Sequence, residues 1–227
     1  MYTLYIANKN YSSWSLRAWL LLTERAIPFK EVLMPFGSGP AGVGFKAFSP
    51  SGRVPCLVDG DTTVWDSLAI AEYVAELHPT VWPTERHARA WARSASAEMH
   101  SGFGEVRNQC SMNCGLRVRM ESMSPALLAD WARIDALWND GLSRFGGPFL
   151  AGPAFSAVDA FFAPVAFRIQ TYSPTLSAAA HEYAARLLAL PGMQHWYADA
   201  LAETWRDAGH EADAAAAGVI VDDLRAR

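Results

Sequence analysis

The apolar positions of this chain change period several times, and each change predicts an element. "MYTLYIA" alternates, which predicts a strand over Tyr2–Ala7. Leu16, Trp19, Leu20, Leu22 and Thr23 recur at three-and-four spacing, which predicts a helix over Ser13–Arg25. "IPFKEVLM" predicts a second strand, Phe29–Met34. "PFGSGPAGVG", Pro35 to Gly44, is too rich in glycine and proline to be anything but a loop. A short helix is expected over Lys46–Pro50, then a third strand in "VPCLVDG" and a turn through "DGDTTVWD" into a fourth. From Ser67 to His78 the period is again helical, with Leu68, Ile70, Ala71, Val74 and Leu77 apolar and Glu72 and Glu76 on another face. A strand–helix–strand unit needs a parallel pair, and the later hairpin adds an antiparallel edge. The first half therefore reads as an α/β unit, βαβ-α-ββα, with a mixed four-stranded sheet.

The pattern shifts after "HPTVWPTE". Helices are expected over Arg86–Gln109, Pro125–Arg144, Val158–Gln170, Leu176–Leu188 and Met193–Thr204, with no strand among them. Ser124-Pro125 has the form of an N-cap followed by proline, and Gly146-Gly147 the form of a helix end. The division is residues 1–78, a linker over 79–88, and an all-α helical bundle over 89–227. The tail after His210 is expected to pack weakly, with "GVIV" as the part able to dock.

Composition narrows the function classes. At 227 residues, 51% hydrophobic and 19% charged, the chain is long and apolar enough to bury a core. A net charge of -4 gives no electrostatic case for nucleic acid or an anionic membrane. No apolar run reaches the roughly 20 residues of a membrane helix, and no secretion leader is expected. Cys56, Cys110 and Cys114 are too few for a disulfide framework, which fits a reducing cytoplasm. Cys110 and Cys114 lack the further ligands that a metal needs, so none is expected.

Four local features carry chemistry. Asn10, Tyr11, Ser12, Ser13 and Trp14 form a polar bend at a helix N-terminus. Hydroxyls there cap the helix, or they join its free N–H groups in holding an anion or a thiolate. Val54-Pro55 opens a strand, through either a trans bond or a cis bond that turns the backbone outward. Asp66-Ser67 starts a helix, either as a plain cap or as a seat for an amine beside a carboxylate. Ser156-x-x-Asp159 has capping-box spacing ahead of a very apolar helix containing Pro164, and reads as structural.

Jointly, in this order and on these elements, the four features resemble the cytosolic glutathione transferase family over nearly the whole chain. "NKNYSSWSLRAWLLL" and "AEMHSGFGEVRNQCSMN" resemble a bacterial, serine-type branch near the zeta-like enzymes. The resemblance implies a thioredoxin-like first domain, glutathione as co-substrate, and a cytoplasmic homodimer engaged in detoxification. It implies that Val54 meets the cysteinyl part of glutathione across a cis bond to Pro55, and that Asp66 and Ser67 hold the γ-glutamyl end. Arg53 is placed to reach the glycyl carboxylate. A group at the start of helix one then stabilises the thiolate: Ser12 first, Ser13 next, with Tyr11 and Asn10 open, because an ungapped alignment on Arg17 sets Asn10 there. Met99, Phe103, Arg107, Met112 and Asn113 are candidate walls for the second substrate, ordinary helix packing being the competing reading for Met99 and Phe103. The implied activity is conjugation to small electrophiles. Glutathione-dependent cis–trans isomerisation of the maleylacetoacetate type and a non-catalytic ligand-binding role are the alternatives. The polar bend has no cysteine, which disfavours a mixed-disulfide mechanism.

Overall fold

The computed structural model describes residues 1–37 and 44–226. The first half contains β1 (Tyr2–Ile6), α1 (Ser13–Glu24), β2 (Phe29–Leu33), β3 (Cys56–Asp59), β4 (Thr62–Trp65) and α2 (Ser67–Ala75). The sheet order is β2-β1-β3-β4, with β1 parallel to β2 and antiparallel pairing between β1 and β3 and between β3 and β4. This is the mixed sheet that the apolar pattern predicts. Most of the expected Pro35–Gly44 loop, residues 38–43, lies outside the described residues. The short helix beyond it is a 3-10 turn at Gly44–Ala47, earlier than expected.

The second half contains α3 (Arg86–Ser101), α4 (Gly104–Gln109), β5 (Leu116–Met120), α5 (Pro125–Phe145), α6 (Ala157–Tyr172), α7 (Ala178–Leu188), α8 (Pro191–Ala202), α9 (Ala208–Ala217) and β6 (Gly218–Asp223). Ser124 caps α5 by accepting from the Leu127 N–H at 3.1 Å, and Gly146, at φ 76°, ends it in a conformation that costs glycine little. Helix α6 is buried along almost its whole length, and it runs unbroken through Pro164. Its Asp159 accepts from the backbone N–H of Ser156 at 2.9 Å and of Leu150 at 3.0 Å, and from the Tyr183 hydroxyl at 2.8 Å. That carboxylate ties three segments together, as a structural reading of the capping box requires.

Three expectations need correction. The helix expected over Arg86–Gln109 is broken at Gly102-Phe103, where Phe103 is left-handed at φ 57°. Side chains serve both ends of the break. Asp130 accepts from the Glu105 and Val106 N–H groups, and Arg107 donates to the carbonyls of Met99, His100 and Gly102. The helical half also holds a strand pair: β5 pairs antiparallel with β6, so "LRVRM" and "GVIV" form a ribbon. The tail is accordingly held by strand pairing, while the side chains of Val219, Ile220, Val221 and Leu224 stay exposed. Arg225 lies so close over Gly115 that a Cβ there would sit 2.2 Å from the Arg225 side chain. In the same half, Trp91 donates to Asp140 at 2.7 Å and packs edge-on to Phe145.

Candidate active site

A cleft of about 800 Å³ opens where the first turns of α1 and α2 and the bend before β3 face α4, α6 and α9. Its lining includes Tyr11, Ser12, Ser13, Arg53, Val54, Pro55, Asp66, Ser67, Arg107 and Met112 from the residues singled out in the sequence. The Val54–Pro55 bond is cis. The remaining four lie outside that lining. Met99 and Phe103 belong to the core, which is the packing reading weighed against them. Asn10 is fully buried, and its side-chain oxygen accepts from the Gly115 N–H at 3.2 Å. Asn113 is also buried, and its carbonyl accepts from the Thr171 hydroxyl at 2.8 Å.

The polar bend divides its work. Ser12 is the N-cap of α1: its oxygen accepts from the Ser15 N–H at 3.4 Å and its hydroxyl donates to Ser15 Oγ at 2.7 Å. Ser15 Oγ in turn accepts from the Ala7 N–H at 3.1 Å, so this chain of bonds ties β1 to α1. The Ser13 hydroxyl oxygen accepts from Arg168 Nη2 at 3.4 Å, and among the described residues nothing accepts its proton. Tyr11 donates to Glu211 Oε1 at 2.7 Å. Burial, reinforced by that hydrogen bond, pushes its hydroxyl up to about 12, so it keeps its proton.

At the start of α2, Asp66 sits at φ 77°, a conformation that side chains disfavour. Its Oδ1 accepts from the Leu68 N–H at 2.8 Å, and its Oδ2 is 3.4 Å from His100 Nε2. Ser67 beside it is 1% exposed, and among the described residues its hydroxyl has no partner. A buried hydroxyl left unpaired is costly unless a ligand engages it.

The sequence reading passed over several residues that build the cleft. Trp14, named in the sequence only as part of the polar bend, has two guanidinium groups near its ring, Arg17 at 4.3 Å and Arg107 at 4.8 Å. Arg168 comes from the middle of α6 and is 4% exposed. Burial, helped by the charge of Arg107, pushes its pKa down to about 10. From α9, His210 stacks on Tyr11 and lies 5.0 Å from Phe36, with its Nδ1 2.7 Å from Asp207 Oδ1. Arg168 was legible as the lone charge in "FFAPVAFRIQ"; His210 had no comparable signal. Among the described residues there is no group of three or more His, Cys, Asp and Glu suited to a metal, and no helix is long and apolar enough to cross a membrane.

Chemically, the cleft offers a carboxylate beside a free hydroxyl at one helix start, and a hydroxyl backed by a guanidinium at the other. Comparison with known proteins fits that pattern. A family profile described as "Glutathione S-transferase, N-terminal domain" matches residues 11–77. The chain is 31% identical over 107 residues to glutathione S-transferase Z2 of Arabidopsis thaliana, covering 44% of this chain and 48% of that one. It is 33% identical over 107 residues to a probable maleylacetoacetate isomerase of Caenorhabditis elegans, covering 46% and 49%. In these matches the chain spans about half the length of the curated relatives. Among solved structures it is similar in fold to a glutathione transferase homologue from Burkholderia with bound glutathione, with a TM-score of 0.66, 23% identity, and coverage of 88% of this chain and 97% of that one.

Proposed function

We propose, from the premise that this chain belongs to the cytosolic glutathione S-transferase family, that it binds glutathione in the cleft and transfers the thiolate to a small electrophile. The observation that carries the reading is Ser67, a buried hydroxyl without a partner among the described residues, held on the cleft by Asp66 in a disfavoured conformation. A γ-glutamyl carboxylate satisfies that hydroxyl and the N–H groups of the first α2 turn, and Asp66 receives the ammonium. The backbone of Val54 meets the cysteinyl residue, and Arg53 receives the glycyl carboxylate.

The sulfur then sits at the start of α1. Ser13, rather than Ser12, is the donor in this reading, because the Ser12 proton is committed to Ser15 while the Ser13 proton is free. Arg168 polarises the Ser13 hydroxyl from behind, and the helix end adds its partial positive charge. Both favour thiolate over thiol. Held beside an electrophilic carbon, the thiolate attacks without paying again for encounter and orientation.

A second reading, reversible addition of the thiolate to a double bond with cis–trans isomerisation, is supported by the likeness to the probable maleylacetoacetate isomerase. It uses the same site, and product analysis separates the two. Calorimetry tests the shared step. The wild type binds glutathione, and Ser67→Ala weakens Kd about tenfold or more, since a hydrogen bond to a charged group is worth about 1.5–3 kcal/mol. An unchanged Kd removes Ser67 from the site.

A further inference from the structure

His210 is the one histidine among the described residues that line the cleft, and the transfer set out above does not use it. Its ring is fixed on three sides. The Tyr11 ring lies 5.0 Å away with 28° between the planes, and the Phe36 ring 5.0 Å away with 33°. Asp207, the N-cap of α9, holds the edge. Its Oδ1 is 3.1 Å from the His210 backbone nitrogen and 2.7 Å from Nδ1. An ionised carboxylate only accepts, so Nδ1 carries the proton in that contact. Nε2 is then the open nitrogen, and no hydrogen bond engages it among the described residues.

Packing accounts for the two stacked faces, and capping accounts for the backbone contact. Neither accounts for the carboxylate on Nδ1. A carboxylate there fixes the tautomer and favours the imidazolium, which suits a histidine to hand a proton on from Nε2. The other groups of the cleft are less able to do so. Tyr11 gives its proton to Glu211 at 2.7 Å, and burial holds it up at about 12. Arg53, Arg107 and Arg168 keep their protons at neutral pH. Asp213, also on α9 and in the lining, accepts but does not donate when ionised. The Ser13 proton serves the sulfur in the reading above.

We propose that His210, oriented by Asp207, is a general acid for electrophiles whose attack by the thiolate leaves an enolate. This rests on the glutathione reading. His210 touches the substrate, whereas Asp207 is a positioning residue. With trans-4-phenylbut-3-en-2-one as probe, the thiol proton leaves to solvent on ionisation. The sulfur lone pair forms the C–S bond at the carbon bearing the phenyl group. The π pair of the double bond moves toward the carbonyl, whose own π pair goes to oxygen. His210 Nε2 gives its proton to that enolate, which ends as the ketone, and the imidazole takes a proton back from solvent. Benzyl chloride asks for no such proton, because chloride leaves with its electron pair.

The test measures kcat/KM for the enone and for benzyl chloride, each divided by its uncatalysed rate with glutathione, and takes the ratio of the two. His210→Gln is expected to lower that ratio about a hundredfold, the low end of what a positioned acid contributes. Asp207→Asn lowers it by a smaller factor, since its amide oxygen still caps α9 but no longer favours the imidazolium. The ratio is the readout because changes in cleft shape or in thiolate formation act on both probes and cancel. A ratio that stays near the wild-type value in His210→Gln overturns the proposal, the ring then serving only to seat α9. Should His210→Gln lose the fold, an unchanged ratio in Asp207→Asn overturns it. A wild type that transfers to benzyl chloride and not to the enone overturns it while leaving the glutathione reading intact. A protein that binds no glutathione by calorimetry, or transfers it to neither probe, overturns the reading beneath, and the proposal with it.

Discussion

Arg225 and Arg168 are both buried arginines that approach the same polar bend, and their surroundings are opposite. Arg225 pairs with Glu211 and with Asp223, the latter at 2.7 Å. Burial acts against its charge, but the hydrogen bonds and charges of Asp223 and Glu211 overcome it and raise its pKa above the ordinary arginine value. Lys9 is of the same kind, held by Glu31 at 3.0 Å and Asp199 at 2.7 Å. These paired cations fasten the tail and the sheet to the helical half. Arg168 and Arg17 form no ion pair among the described residues, and burial pushes both down. The contrast teaches that this chain pairs the cations that fasten the tail and the sheet with carboxylates, and leaves Arg168, which borders the cleft, without one among the described residues.

Paired substitutions break or sharpen that contrast. Arg225→Met leaves Glu211 and Asp223 without their cation, and a loss of about 2–4 kcal/mol is expected, below that of a wholly buried pair because both carboxylates keep some solvent. Arg17→Met removes a buried charge that forms no ion pair among the described residues, only a longer-range attraction to Asp66, so its loss stays under about 1 kcal/mol or becomes a gain. Urea unfolding of both variants reads the difference. Equal losses erase the distinction between the two environments.

A smaller effect comes from Asp159, a buried acid held by neutral donors only. Burial raises its pKa from 3.8 to about 6, against the pull of Leu150, Tyr183 and Ser156. The folded state therefore holds that proton more tightly than the unfolded chain. The resulting stabilisation is fully present below pH 3.8, declines as pH rises, and is gone above about 6, for a total of about 2–3 kcal/mol. Asp159→Asn removes this dependence. Unfolding at pH 4 and pH 7 is expected to show wild type losing more than the variant on going to pH 7, and an equal change in both contradicts the assignment.

Much of this architecture was legible in the sequence, and the parts that were not share physical causes. Strands β1 to β4 were readable because each apolar run has its partner nearby in the chain. β5 alternates as well, with Leu116 and Val118 buried. Its partner β6 arrives only in the tail, and a lone alternating pentapeptide does not announce a distant pairing. The broken helix at Gly102-Phe103 depends on Asp130, whose approach no local pattern encodes. In the cleft, Asp66-Ser67 and Val54-Pro55 were visible because turn chemistry is local. Choosing between Ser12 and Ser13 was not, since two adjacent serines are both fit to cap and only Ser15 and Arg168 distinguish them. Arg168 was visible as a residue, but its missing carboxylate partner was not, because that absence is a property of the folded surroundings.

The central claim is that the Ser13 end of α1 stabilises a thiolate, and a pH titration of the ultraviolet absorbance of bound glutathione tests it most directly. The account predicts that the bound thiol ionises at least about one unit below a free thiol near 8.5, equivalent to about 1.4 kcal/mol. Ser13→Ala raises that value more than Ser12→Ala does, and some depression survives from the helix end and Arg168. A bound thiol that titrates like free glutathione, or a larger rise in Ser12→Ala than in Ser13→Ala, contradicts it.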